Sequence, residues 1–145
     1  MAVQANTSLI HTLHRASQVA EDRLVRELGD IDITPRQLAV LAAIDSVDGL
    51  SQTDIVDGTG IDRSTMADIV RRLVKRGLIS RKRTKQDARA YAVKMTADGR
   101  RVLAAATPIL ARVEAGLLEA LSVKKLAELV EVLEELTGKG ARVEA

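Results

Sequence analysis

Ser64, Thr65, Asp68, Arg71, Arg72 and Lys75 fall on one side of a helix that the sequence predicts from about Arg63 to Arg76. Met66, Ile69, Val70, Leu73 and Val74 line the other side at the i, i+3, i+4, i+7 spacing of a buried stripe. Short hydroxyl side chains at the leading end, with guanidinium groups further along, have the chemistry to meet duplex DNA. The hydroxyls can bond base edges, and the arginines can read guanine or neutralise phosphate. An ordinary amphipathic surface helix with a solvated charged face has the same pattern. Asp68 also has two readings, as an acceptor for cytosine N4 in a groove or as support for a neighbouring arginine. Gln52, Thr53 and Arg63, at the starts of this helix and the one before it, complete the set of candidate contacts on helices.

The surrounding elements must place that face. Ser51 followed by Asp54 has the form of a capping box and starts a short helix. Gly58 and Gly60 are expected to break it, and Asp62 to cap the next. The pair is a compact corner of helix-turn-helix length. Gly77 suits the end of the second helix. Leu78 and Ile79 then lead into Arg81, Lys82 and Arg83, and Tyr91, Val93 and Met95 alternate in a second strand. The loop from Thr84 to Arg89 holds Lys85, Asp87 and Arg89. An arginine on such a tip suits the negative potential of a minor groove, with Asp87 placed two residues away to orient Arg89.

The distribution of charge favours the DNA reading. The formal net charge is only +2, yet residues 62–101 hold thirteen Lys and Arg against four acids, a net +9. The remaining nine basic and sixteen acidic residues give −7. Positive charge concentrated on the expected reading head is what phosphate contact requires. One Tyr, no Phe and no Trp leave no aromatic platform for stacking single-stranded bases, so the core is built from aliphatic side chains. At 145 residues and 46% hydrophobic content, a single domain with an ample core is expected. Zero cysteines exclude disulfides, thiol redox switching and thiolate metal sites. No apolar run is long enough to span a membrane and no signal-peptide pattern opens the chain, so a cytoplasmic location is expected.

Long apolar helices flank the reading head. Leu9, Leu13, Ala16, Ala20 and Leu24 form one stripe, and Ile10, Ser17, Val25 and Leu28 a second about 100° away. Val102 to Leu121 reads as a helix interrupted near Thr107 and Pro108, where the ring should kink it or start a new segment. Ser122 then caps a final helix with Leu126, Leu129, Val130, Leu133 and Leu136 as its stripe. So much apolar helix beside so small a head points to a homodimer, against the competing reading of a monomeric helical core.

Catalysis finds no support, because no nucleophile elbow, phosphate-binding Gly-rich loop or HExxH spacing occurs, and no cofactor is called for. His11 and His14 stand three apart without a third ligand at helical spacing, so no metal site is expected. Beside Arg15 they suit instead the recognition of an anionic small molecule; solvent-facing positions or a dimer seam are the plain alternative.

The segment LVKRGLISRKRTKQDARAYAVKMTADGRRVL, Leu73 to Leu103, resembles the MarR (multiple antibiotic resistance regulator) family of bacterial transcription factors. ITPRQLAVLAAI, Ile33 to Ile44, is similar to the helix that precedes the reading head in that family. The D-x-R wing motif is the most specific part and falls on Asp87 and Arg89; in the family the Arg enters the minor groove and the Asp helps fix it. Many members have adjacent arginines in the wing, where this chain has Ala88 before Arg89, and residue 68 is often basic or polar in relatives.

The resemblance implies a mainly α fold with a small β-hairpin wing. It divides into an N-terminal dimerisation helix (1–30), a winged helix-turn-helix (31–99) and C-terminal dimerisation helices (100–145). It also implies a homodimeric repressor that binds a pseudo-palindromic operator in double-stranded DNA and is released by a small anionic or aromatic effector. A zinc-sensing branch of the family is known, but the C-terminal helices here have no histidine to complete such a site. The alternative from another class is a winged-helix module that binds protein instead of DNA.

Overall fold

The computed structural model describes residues 8–47, 49–83 and 91–138. Its elements run α1 (Leu9–Leu28), α2 (Pro35–Ser46), α3 (Gln52–Thr59), α4 (Arg63–Lys75), β1 (Ile79–Arg83), β2 (Tyr91–Met95), α5 (Ala97–Leu118) and α6 (Val123–Leu136). A mainly helical chain with one antiparallel hairpin is the winged helix-turn-helix expected from the sequence.

Local capping sets most helix starts. Thr34 accepts from the Gln37 amide, and the Gln37 side chain accepts from the Thr34 amide, both at 3.1 Å, with Pro35 preorganised at the first helical position. Ser51 and Asp54 make the same reciprocal pair for α3 at 3.1 and 2.9 Å. Asp62 caps α4 and Ser122 caps α6 as expected.

One expectation for α3 is corrected. Gly58 lies inside the helix, and the chain leaves it only at Gly60, whose φ of 71° is left-handed. A single glycine in a last turn costs helix stability without ending the helix, whereas the left-handed cap requires a residue without Cβ.

Two compact units meet within α5, one ending at Leu110 and the other beginning at Ala111. In the first unit, α2 contacts α1, α3, α4 and β2 and forms the centre of the core. Leu38, Val40, Leu41 and Ile44 from α2 are buried, as are Ile55, Met66, Val70, Leu73, Ile79 and Val93 from the surrounding elements. Each fully buried aliphatic side chain of this size contributes about 1.5–3 kcal/mol. The hairpin pairs Ile79 with Met95, Arg81 with Val93 and Arg83 with Tyr91. It is anchored to the start of α3, because the Val93 amide donates to the Leu50 carbonyl at 2.9 Å and Ser51 bridges to Ala92.

α5 also departs from expectation. It begins at Ala97 and continues through Pro108 without starting a new segment there. Thr107 Oγ1 donates to the Leu103 carbonyl at 2.7 Å, one turn back, in the turn where the proline ring removes a backbone donor. At the start of α5, Thr96 Oγ1 accepts from the Gly99 amide at 3.1 Å and donates to the Gly77 carbonyl at 2.7 Å. A Cβ on Gly99 would overlap the Leu78 carbonyl oxygen and press on Met95 Sδ at 2.7 Å. Glycine there is a requirement of close packing.

In α1 only Leu24 and Leu28 are buried, while Leu9, Ile10, Leu13 and Val25 remain exposed. α6 buries no residue and exposes Leu129, Val130, Leu133 and Leu136.

Candidate nucleic-acid interface

The face of α4 predicted to read DNA is exposed at Arg63, Ser64, Arg71, Arg72 and Lys75, and half-buried at Thr65 and Asp68. Burial of Met66, Ile69, Val70 and Leu73 on the other side fixes that orientation. At the leading end, Asp62 accepts from the Thr65 amide at 2.9 Å, Thr65 Oγ1 at 2.6 Å and Ser64 Oγ at 2.9 Å. These donors hold the Asp62 carboxyl at about 2, well below its ordinary value of 3.8, with the Thr65 hydroxyl the largest cause. Both hydroxyl protons are thus directed at Asp62. On the outer face of α4 this leaves Ser64 and Thr65 their oxygen lone pairs, which have the chemistry to accept from amino donors such as adenine N6 or cytosine N4.

Asp68 pairs with Arg71 and also with Arg72, the latter at 2.9 Å. Its carboxylate is 40% exposed, against 73% and 66% for the two guanidinium side chains. This geometry supports the arginine-holding reading of Asp68 over that of a free acceptor for cytosine. At the far end of α4, Arg76 reaches Gln37 Oε1 and the Asp32 carboxylate, each at 3.5 Å, and ties the reading helix to the start of α2.

Gln52, Thr53 and Arg63 come together in a cleft of about 340 Å³ that Ser51, Arg81 and Tyr91 also line. Arg81 and Tyr91 were not among the sequence-derived contacts. The Arg81 guanidinium lies 4.8 Å from the centroid of the Tyr91 ring and that of Arg83 lies 5.8 Å away, while Arg83 Nε donates to the Tyr91 hydroxyl at 3.4 Å. That bond and the charges of Arg83 and Arg81 lower the phenol below its ordinary 10. The signal was present in the sequence. A register that pairs apolar Ile79 with Met95 sets Arg83 opposite Tyr91 on the same face. Lys85, Asp87 and Arg89 lie outside the described residues.

His11, His14 and Arg15 are exposed along α1. A second cleft, of about 400 Å³, lies between Asp45 at the end of α2 and Arg100, Leu103 and Pro108 of α5. None of the three α1 residues lines it. Among the described residues no three His, Cys, Asp or Glu gather as metal ligands, and no helix is long and apolar enough to cross a membrane.

Residues 31–90 match the MarR family. The transcriptional regulator HosA of Escherichia coli O157:H7 is 31% identical over 126 residues, covering 87% of this chain and 92% of HosA. The PcaV transcriptional regulator of Streptomyces coelicolor, solved in complex with its natural ligand, superposes with a TM-score of 0.86 at 29% identity. That match covers 94% of this chain and 96% of PcaV. The transcriptional repressor CouR, solved bound to a 23-mer DNA duplex, gives a TM-score of 0.80 at 30% identity over 88% of this chain and 91% of its own. A reading helix and basic hairpin in this arrangement, with a relative of that identity spanning nearly the whole chain, establish that the protein belongs to the MarR family of transcriptional regulators.

Proposed function

We propose that the chain is a sequence-specific repressor that binds an inverted repeat in double-stranded DNA as a homodimer and is released by a small anionic or aromatic ligand. The observation that carries this reading is the convergence of Gln52, Thr53, Arg63 and Arg81 in one cleft beside the exposed polar face of α4. α4 would enter the major groove, and Arg89, oriented by Asp87, the adjacent minor groove. The exposed apolar stripes of α1 and α6 support a dimer in which the first and last helices of each chain are covered by those of its mate. Two-fold symmetry then places two recognition helices on successive major-groove turns, with half-sites about 10 bp apart. The protein works in the cytoplasm, where the chromosome lies.

Ligand release is a population shift, in which an effector that favours a dimer with wrongly spaced recognition helices lowers DNA affinity by its differential binding to the two states. On α1, away from the cleft between α2 and α5, Arg15 with the imidazoles of His11 and His14 would suit a carboxylate. The cleft between α2 and α5 is of the size that takes a small aromatic acid. The ligand-bound state of PcaV and the DNA-bound state of CouR are what such a mechanism needs of the fold.

Footprinting on the DNA upstream of the protein's own gene, across a salt series and with Arg89→Ala beside wild type, tests the reading. Salt-sensitive protection of an inverted repeat, weakened in the variant, is expected. No preference over random duplex, with Arg89→Ala unchanged, would favour a protein-binding winged helix.

A further inference from the structure

We infer that Arg63 and Arg81 together seat one phosphate of the duplex backbone in the cleft beside α3, and that Tyr91 is the positioning residue that holds Arg81 there. The inference rests on the DNA-reading proposal above and adds to it a contact from β1. Alternation along the hairpin supplies the first argument. Ile79, Val93 and Met95 share one face and are buried, and Arg81, Arg83 and Tyr91 continue that face beyond the core edge. The face that packs inward at the base of the hairpin therefore turns its charged end onto α3 and the start of α4, where the cleft lies.

Charge supplies the second argument. Among the described residues no carboxylate pairs with Arg63 or Arg81, whereas Arg71, Arg72, Arg76 and Arg101 all have acidic partners. Asp54 on α3 and Asp62 immediately before Arg63 are engaged in helix capping, and Asp68 is paired with Arg71 and Arg72. Two guanidinium groups lining one cleft, beside Ser51, Gln52, Thr53 and the apolar Val56, call for an anion. Gln52 and Thr53 add neutral side-chain donors, which suits the several oxygens of a phosphate.

Tyr91 explains why Arg81 is ready to bind. The guanidinium carbon lies over the ring, 4.8 Å from its centroid, a cation–π contact that holds Arg81 at the cleft without needing a hydrogen-bond acceptor for its N–H donors. An arginine already held in this way loses less rotamer freedom when the phosphate arrives. Arg83 is tethered differently, by its Nε to the phenol oxygen.

A backbone contact is independent of sequence, so an arbitrary duplex of about 30 base pairs is a sufficient probe. Arg81→Gln should weaken binding roughly tenfold and flatten the salt dependence by up to about 0.9 in logarithmic slope per protomer bound, and Tyr91→Leu should shift both in the same direction by less. Tyr91→Phe, which keeps the ring, should restore both. In the wild-type protein Tyr91 is the only fluorescent side chain, and the duplex should shield it from acrylamide quenching. Wild-type slopes in Arg81→Gln and Tyr91→Leu, or an unshielded Tyr91 in a bound complex, would overturn the phosphate seat and leave DNA reading intact. No duplex binding by the wild type would overturn the DNA reading itself and the seat with it.

Discussion

Asp62 shows how one carboxylate can organise a reading surface. It caps the start of α4 and sets the direction of two hydroxyls at the end that would meet base edges. Its folded value of about 2 lies below the ordinary 3.8, so its stabilising effect is complete above about pH 4 and is lost as pH falls through 2. Thermal melts between pH 5 and 2 should therefore fall more steeply for wild type than for Asp62→Asn, which caps without titrating. Asp68 acts in the opposite direction, by drawing two arginines to itself. Asp68→Ala releases Arg71 and Arg72 and should tighten binding to random duplex by up to about fivefold, the scale of an exposed ion pair, with a steeper salt slope in fluorescence anisotropy. The caps at Ser51 and Asp62 were legible in the sequence because a cap and its partner lie within three residues. The Arg81–Tyr91 pair spans ten residues and depends on strand register, so it emerges only when the apolar pairing of Ile79 with Met95 is used to align the strands.

Among the elements, the recognition helix and both strands fell where hydrophobic periodicity put them, since their stripes face one aliphatic core. α5 did not. Its start at Ala97 is set by Thr96 and by the close approach of Gly99 to Leu78, contacts between segments some twenty residues apart that no local pattern announces. Gly99→Ala should destabilise by about 1–3 kcal/mol through overpacking, seen by calorimetry as a drop of about 2–4 °C in Tm per kcal/mol. Pro108 was read as a break because a ring inside a helix removes a hydrogen bond, yet the helix runs on with Thr107 bonded to Leu103. Pro108→Ala returns a donor opposite the Ala104 carbonyl and should raise Tm, with a gain of up to about 3 kcal/mol. An unchanged or lowered melting temperature would show that the turn is already fully compensated.

At the scale of the whole molecule, the apolar stripe of α6 is left exposed among the described residues, with Leu133 39% exposed and Leu136 60%. Leu133→Glu should turn a dimer into a monomer in sedimentation velocity. It should also weaken operator binding far more than its distance from the reading head suggests, because two linked heads bind with an avidity that one lacks. The end of the recognition helix and the beginning of α5 are joined through Gly77, Leu78, Thr96 and Gly99, with hydrogen bonds of 2.7 Å from Thr96 Oγ1 to Gly77 and 3.1 Å from the Thr96 amide to Leu78. Those bonds tie the two helix ends together at the base of the hairpin, in the arrangement of a bell crank about a common pivot. A twist applied to the first turn of α5 would be carried through those hydrogen bonds to the last turn of α4 without passing along the hairpin strands.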